Sequence, residues 1–282
     1  MTVAADFERE GYAILRGRLD VGDIARLERE IIAPYPGPLY RHSLRMLRHS
    51  ELDPDAYLDL SGLMNAHLWK LPQLNDFSEA LLKLLTSDGI YTALNAIDGE
   101  ARYTLHQSIF FFCSPRIGPH FDNSTLDTLP PARSFTVWIA VDAATPMNGP
   151  PYVVPTPRGH YWTDPGTTPP NRNRLIHDWV TTRRMPAMVL VTLNAGDIAV
   201  WAPTTPHGSL LGWPDMKVRR SIQAVYRPTG VLSWGNTRAS LADYHDPAFE
   251  EEEVNSQFNC LRSKRAEADE QFRRVEFEQP LP

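Results

Sequence analysis

Apolar positions along the first hundred residues recur mostly at helical spacing. Phe7 to Tyr12 leads into a short apolar strand, Tyr12-Ala13-Ile14-Leu15. Asp20 stands where a helix cap is wanted, and Val21, Ile24, Leu27 and Ile31 then fall on one face of a helix over 21–32. The run Pro34-Tyr35-Pro36-Gly37-Pro38 stops it. Residues 74–97 repeat the helical pattern through Phe77, Ala80, Leu81, Leu84 and Leu85, then Ile90, Leu94 and Ile97.

From about residue 102 the period shortens. Arg102 to Cys113, Ser134 to Val141, Met188 to Leu193, Asp197 to Trp201 and Arg219 to Tyr226 are rich in β-branched and aromatic residues. Gly, Pro and Asn separate them, so they read as strands. Short strands between turn signals predict a sandwich or barrel such as a jelly roll. Residues 156–187 form a polar, proline-rich excursion with a short helical piece near 175–183, suited to covering a pocket. After about 237 the chain turns charged. The segment 249–274 has acids early and bases late, which predicts a solvated outer helix that could also serve as an oligomer contact. One domain is expected: a helical part over 1–100, a β core over 101–230 and a helical extension over 237–282.

Composition narrows the function. The 282 residues carry a net charge of −6 without a dominant basic patch, which disfavours nucleic acid as a partner. No window nears about 18 uninterrupted apolar residues, so no spanning helix is expected. The opening MTVAADFEREGY lacks a signal-peptide pattern. Two cysteines, Cys113 and Cys260, make no disulfide framework, and both are expected to be structural thiols in a cytoplasmic setting.

The histidines carry the chemistry. His120-Phe121-Asp122 is a His-x-Asp pair, and in extended chain residues two apart point to the same side. His207 follows Asp122 by 85 residues, just past the strand ending at Trp201. Two imidazoles and one carboxylate make the facial triad of non-haem iron(II), which leaves coordination positions open. Arg219 comes 12 residues after His207, and Ser221 shares its side of the next strand. Such an Arg-x-Ser pair can grip a distal carboxylate, the guanidinium with its fork and the hydroxyl with one more hydrogen bond. 2-Oxoglutarate has one carboxylate for a metal and a second for this grip. Arg220 is the rival arginine, but alternation points it the other way.

Other candidates cluster around these. Ser209 lies two after His207, and Thr104 and Gln107 lie on the strand leading to His120; each is a candidate co-substrate contact. Asn123 is a candidate for orienting Asp122 or lining a substrate site. Phe110, Phe111 and Phe112 are expected to divide between core and pocket. Arg102, Arg116, Arg133 and Arg158 stand near the expected mouth, where they would suit an anionic small molecule. His106, His160 and His177 are expected to be structural or on the surface. His42, His49, His67 and His245 are expected to be solvated.

The ordered motifs resemble the phytanoyl-CoA dioxygenase-like branch of the iron(II)/2-oxoglutarate oxygenases over most of residues 6–228. FEREGYAILRGRLD (7–20) is similar to that family's helix–strand–helix opening, and HFD (120–122) to its His-x-Asp. FTVWIAVDAATPMNGPPYVVPTPRGHY (135–161) resembles its strand and Asn-Gly turn, with its Pro-Gly-Ser-His stretch altered here to Pro157-Arg158-Gly159-His160. GDIAVWAPTTPHGS (196–209) and RRSIQAVYRP (219–228) resemble the strands of the distal histidine and the co-substrate. The resemblance implies a mainly β fold with flanking α-helices, built on a double-stranded β-helix (a cupin-like jelly roll). It also implies Fe(II), with 2-oxoglutarate and O2 as co-substrates. Trp138 falls where the family has an aromatic beside the co-substrate. Asp122 argues against the related halogenases, which lack that carboxylate. The implied activity is hydroxylation of an aliphatic C–H of a small metabolite or natural-product intermediate. Desaturation, epoxidation and ring formation are the alternatives within the chemistry, and a non-catalytic jelly-roll binding module is the alternative outside it.

Overall fold

The structure is a computed structural model and describes residues 2–29, 79–111, 118–122, 128–160, 187–210, 219–233 and 249–263. Helix α1 (Val3–Glu10) is capped by the Thr2 side chain and ends on Gly11 in a left-handed conformation. Strand β1 (Tyr12–Leu15) follows, then α2 (Val21–Leu27), whose Asp20 cap accepts from the Gly22 amide. Helices α3 (Glu79–Leu85) and α4 (Asp88–Asp98) complete the described helical part. The β core then runs β2 (Tyr103–Phe111), β3 (Thr128–Leu129), β4 (Phe135–Ala140), β5 (Pro151–Val153), β6 (Val189–Leu190), β7 (Ile198–Trp201), β8 (His207–Ser209), β9 (Ser221–Pro228) and β10 (Leu232–Ser233).

Two principal sheets result. With β11 (Phe249–Glu253) and β12 (Phe258–Ser263), the major sheet has the order β1-β7-β4-β9-β2-β12-β11, and the minor sheet β6-β5-β8. The strand order alternates between distant parts of the sequence, as a jelly roll requires. Strand alternation divides the major sheet into two faces. Phe135, Val137, Ile139, Ile198, Val200, Ile222, Ala224 and Tyr226 join one cluster with Phe7, Leu27, Leu81, Leu85, Ile90 and Leu94 of the helices. The opposite face sends Trp138, Ala140, Ala199 and Trp201 into a second cluster with Val153, Val191 and Leu193 on the minor-sheet side. The helices thus seal the outer face, and the space between the sheets lies on the inner one. Tyr226 completes the outer seal by donating its hydroxyl to the Leu85 carbonyl at 2.8 Å.

The chain end differs from the helix expected over 249–274. Phe249–Glu253 (β11) and Phe258–Ser263 (β12) form an antiparallel hairpin, and β12 joins β2 in parallel with Phe258 opposite Tyr103. The signal was a period of two: Phe258 and Cys260 are fully buried among the helix-side residues, with the more exposed Asn259 between them. Asn255 makes the turn, its side-chain oxygen accepting from the amides of Gln257 and Phe258. Glu251 faces Arg227, so the acidic run belongs to a sheet edge rather than to a helix terminus. The oligomer contact expected of that helix loses its basis over these residues. Cys260 is buried in the helix-side cluster, in keeping with a structural thiol; Cys113 lies outside the described residues. Among the described residues no helix is long and apolar enough to cross a membrane.

Candidate metal centre

A short backbone bridge creates the site. His120 N–H donates to the His207 carbonyl at 2.9 Å, and His207 N–H returns a bond to the His120 carbonyl at 2.8 Å. Residues 87 positions apart are thereby locked side by side, with ring centroids 4.3 Å apart. Asp122 is tied separately, its N–H donating to Pro203 O at 3.0 Å. One candidate ligand atom from each of His120, Asp122 and His207 lies within 4.8 Å of the others, close enough to share one ion.

The hydrogen bonds of the rings select which nitrogen faces the ion. His120 Nδ1 lies 2.9 Å from Gly118 O, and His207 Nδ1 lies 3.0 Å from Thr205 O. A carbonyl can only accept, so each Nδ1 carries the proton and each Nε2 keeps its lone pair. Among the described residues His207 Nε2 is buried without a hydrogen bond, and it stands 3.7 Å from Asp122 Oδ2. A buried acceptor with no proton to receive, beside a carboxylate oxygen, fits a divalent cation.

The supporting turn is anchored to the N-terminal segment. Thr205 Oγ1 donates to Gly11 O at 2.8 Å. A Cβ at Gly11 would fall 2.2 Å from Thr156 O and 2.5 Å from Thr205 Oγ1, and φ there is +70°. Gly11 is therefore fixed by close approach as well as by backbone conformation. Asp197, in the turn before β7, accepts from Arg16, Gly17 N and Asn194 N. Burial alone would raise its pKa, but these bonds outweigh burial and hold the carboxyl below its ordinary value.

The second predicted pair shares the inner face. Ser221 is Cα partner to both Ala140 and Phe111, and its buried hydroxyl makes no hydrogen bond among the described residues. Arg219 is 1% exposed, its guanidinium carbon 4.9 Å from the centre of the Trp138 ring. Arg220 points the other way and is engaged: Nε and Nη2 bind Asp142 and Nη1 binds Glu28, which together hold the guanidinium above its ordinary pKa. Strand β4 acts as a ruler between the two groups. Thr136 touches Asp122, donating Oγ1 to Oδ2 at 2.8 Å, while Trp138 touches Arg219. Two residues along a strand is about 6.7 Å, comparable with the span of a five-carbon diacid.

Several expectations need correction. Thr104 lies at the far end of β2, opposite Arg227, and its hydroxyl meets Thr229 Oγ1 at 3.1 Å and Glu251 at 3.2 Å. Seven residues of strand, about 23 Å at full extension, part it from Phe111, the partner of Ser221. It belongs to the Arg227–Glu251 ion pair, not to a co-substrate site. Gln107 follows a bulge and pairs with Val225, between these ends. Ser209 sits on β8 opposite Pro151. Three of the four arginines expected at the mouth are engaged in ion pairs elsewhere. Arg102 meets Glu253, Arg133 meets Asp98 and Glu100, and Arg158 meets Glu8 and Asp98 while lying over the Phe7 and Phe135 rings. Phe112, Arg116 and Asn123 lie outside the described residues, as does most of the 156–187 excursion.

Sequence reasoning missed Thr136, Trp201 and Thr205. The ring of Trp201 lies 4.8 Å from that of His207. The available signal for Thr136 was a single hydroxyl residue inside the otherwise apolar Phe135–Ala140, since a buried hydroxyl needs a partner.

Comparison with known proteins agrees with this geometry. The family model described as phytanoyl-CoA dioxygenase (PhyH) matches residues 7–210. The carbocyclase SnoK of nogalamycin biosynthesis, a non-haem α-ketoglutarate-dependent enzyme, superposes with a TM-score of 0.62 at 14% identity, covering 93% of this chain and 95% of its own. The epimerase SnoN, solved with Fe3+, α-ketoglutarate and nogalamycin RO, gives 0.58 at 19% identity, with 92% and 96% covered. EctD from S. alaskensis, solved with 2-oxoglutarate and 5-hydroxyectoine, gives 0.55 at 18% identity, with 82% and 76% covered. No curated protein sequence matches the chain closely enough to add to these. The matched family model spans most of the chain and contains the His120, Asp122 and His207 cluster, so the chain belongs to the phytanoyl-CoA dioxygenase (PhyH) family of iron(II)/2-oxoglutarate-dependent oxygenases.

Proposed function

We propose that this oxygenase hydroxylates an aliphatic C–H bond of a small metabolite or natural-product intermediate. The observation that carries the reading is the convergence of three ligand atoms within 4.8 Å, with Arg219 and Ser221 on the same sheet face. Bound iron(II), with 2-oxoglutarate and O2, supplies the oxidation of an unactivated C–H bond and yields succinate and CO2.

The protein's own work is positioning. His120 and His207 present Nε2 because the Gly118 and Thr205 carbonyls hold the opposite nitrogens protonated. Asp122 adds the charge that balances a divalent cation. Arg219 and Ser221 hold the far carboxylate of 2-oxoglutarate, the hydroxyl giving the hydrogen bond it does not make among the described residues. Trp138 keeps the guanidinium flat and shielded from water, which strengthens its grip on an anion. Trp201, Ala199 and Ala140 line the same face with apolar surface and limit water.

The neighbours named an epimerase and a carbocyclase show that this fold serves other outcomes in those proteins. Product mass separates them. The iron-loaded protein should be incubated with 2-oxoglutarate, O2 and a panel of small metabolites. Succinate formation coupled to a product one oxygen heavier that carries a new hydroxyl group supports hydroxylation, whereas the same mass without a new hydroxyl points to epoxidation. A product two hydrogens lighter points to desaturation or ring closure, and an unchanged mass points to epimerisation. Binding of a metabolite with no 2-oxoglutarate consumption under any condition would indicate a binding module.

A further inference from the structure

We infer that Thr136 is a positioning residue that fixes Asp122 for one-oxygen coordination of the metal; the inference rests on the metal site proposed above. The Thr136 hydroxyl donates to Asp122 Oδ2 at 2.8 Å, and both residues are buried. Oδ2 is also the oxygen that faces His207 Nε2. The donated hydrogen occupies one lone-pair direction of that oxygen and stops the carboxylate from turning about its Cβ–Cγ bond. Both effects oppose closure of the two oxygens on one ion, and a second oxygen would occupy a position that the facial triad leaves open.

The donor itself is held rigidly. Threonine is branched at Cβ, so few χ1 settings are open to it. Thr136 is itself buried and is flanked in register by Trp201 on β7 and Val225 on β9, both nearly inaccessible. The rest of β4 is Phe135, Val137, Trp138, Ile139 and Ala140. One hydroxyl inside that run, aimed at a candidate ligand, is explained by the ligand rather than by the strand. The Asp122 backbone is fixed independently through Pro203 O, so the hydroxyl governs the rotation of the carboxyl group and not the position of the loop.

The test is anaerobic titration of the metal-free protein with Fe(II), together with the visible spectrum of the Co(II)-loaded form. Thr136→Val keeps the shape of the side chain and removes the donor. It should leave the melting temperature of the metal-free protein near that of wild type. It should weaken Fe(II) binding by about tenfold to a hundredfold, as loss of a hydrogen bond to a metal ligand does, and alter the Co(II) bands. Thr136→Ser should restore both. Thr136→Ala carries the same expectation as valine if the valine variant does not fold. Valine or alanine variants that bind Fe(II) as tightly as wild type, with unchanged Co(II) bands, would overturn the role of Thr136 alone. A wild-type protein that takes up no stoichiometric metal, or an Asp122→Ala variant that binds as wild type does, would overturn the site on which it rests.

Discussion

The two faces of β4 divide its six residues between them and do opposite work. Phe135, Val137 and Ile139 face the helices, where they join the larger apolar cluster and none of them bears a polar group. Thr136, Trp138 and Ala140 face the space between the sheets, where Thr136 touches Asp122, Trp138 stacks on Arg219, and Ala140 stands opposite Ser221. The outer face supplies stability through burial. The inner face spends part of that stability on buried polar groups, which the proposed function assigns to an ion and a diacid. A strand of pure period two can therefore hold a reactive centre rigidly without mixing the two tasks.

Substitutions on either side should separate these roles. The largest effect is expected from Asp122→Ala, which removes the carboxylate of the proposed triad: succinate formation should stop while the melting temperature changes little. Retained turnover would erase the distinction between the faces. Phe135→Ala should do the reverse, costing about 3–5 kcal/mol of stability through the cavity it leaves. Denaturant unfolding would measure this loss, and the folded fraction should bind metal normally.

A sharper contrast lies between neighbouring arginines. Arg219→Ala should raise the KM for 2-oxoglutarate about tenfold to a hundredfold, the worth of charge-assisted hydrogen bonds of about 1.5–3 kcal/mol. Arg220→Ala should leave that KM nearly unchanged and cost up to about 1 kcal/mol of stability, because its partners Asp142 and Glu28 are partly solvated. Steady-state kinetics on both variants decide between the two arginines, and a larger KM rise from Arg220→Ala would reverse the assignment.

The smallest effect concerns acid. The hydrogen bonds to Asp197 depress its folded-state pKa below the ordinary 3.8. Its contribution is thus complete above that value and is lost as pH falls through the lower folded value. Melting temperatures recorded downward from pH 5 should show this loss in wild type below about pH 4, and Asp197→Asn should flatten that part of the curve.

Much of this was legible in the sequence. His120, Asp122 and His207 could be read as a set because the short His-x-Asp spacing and strand alternation put two ligands on one side. The choice of Arg219 over Arg220 followed from the same alternation. What failed had a common cause, since contacts across strands are invisible to local period. Thr104 looked equivalent to its neighbours on β2 until the bulge and the Arg227–Glu251 pair placed it at the far end. Arg102, Arg133 and Arg158 looked available until Glu253, Asp98, Glu100 and Glu8 came close through folding. The acidic run at 249–253 looked helical because charge order was weighed above the alternation of Phe258 and Cys260. Thr136 was overlooked because a threonine in a strand is ordinary, and only its partner makes it informative.

The most direct measurement is a crystal structure of the protein grown without oxygen in the presence of Mn(II) and 2-oxoglutarate. The account predicts one ion bound by His120 Nε2, His207 Nε2 and a single oxygen of Asp122. It also predicts the distal carboxylate of 2-oxoglutarate against Arg219 and Ser221. An ion held by other side chains, or a distal carboxylate resting on a different arginine, would contradict it.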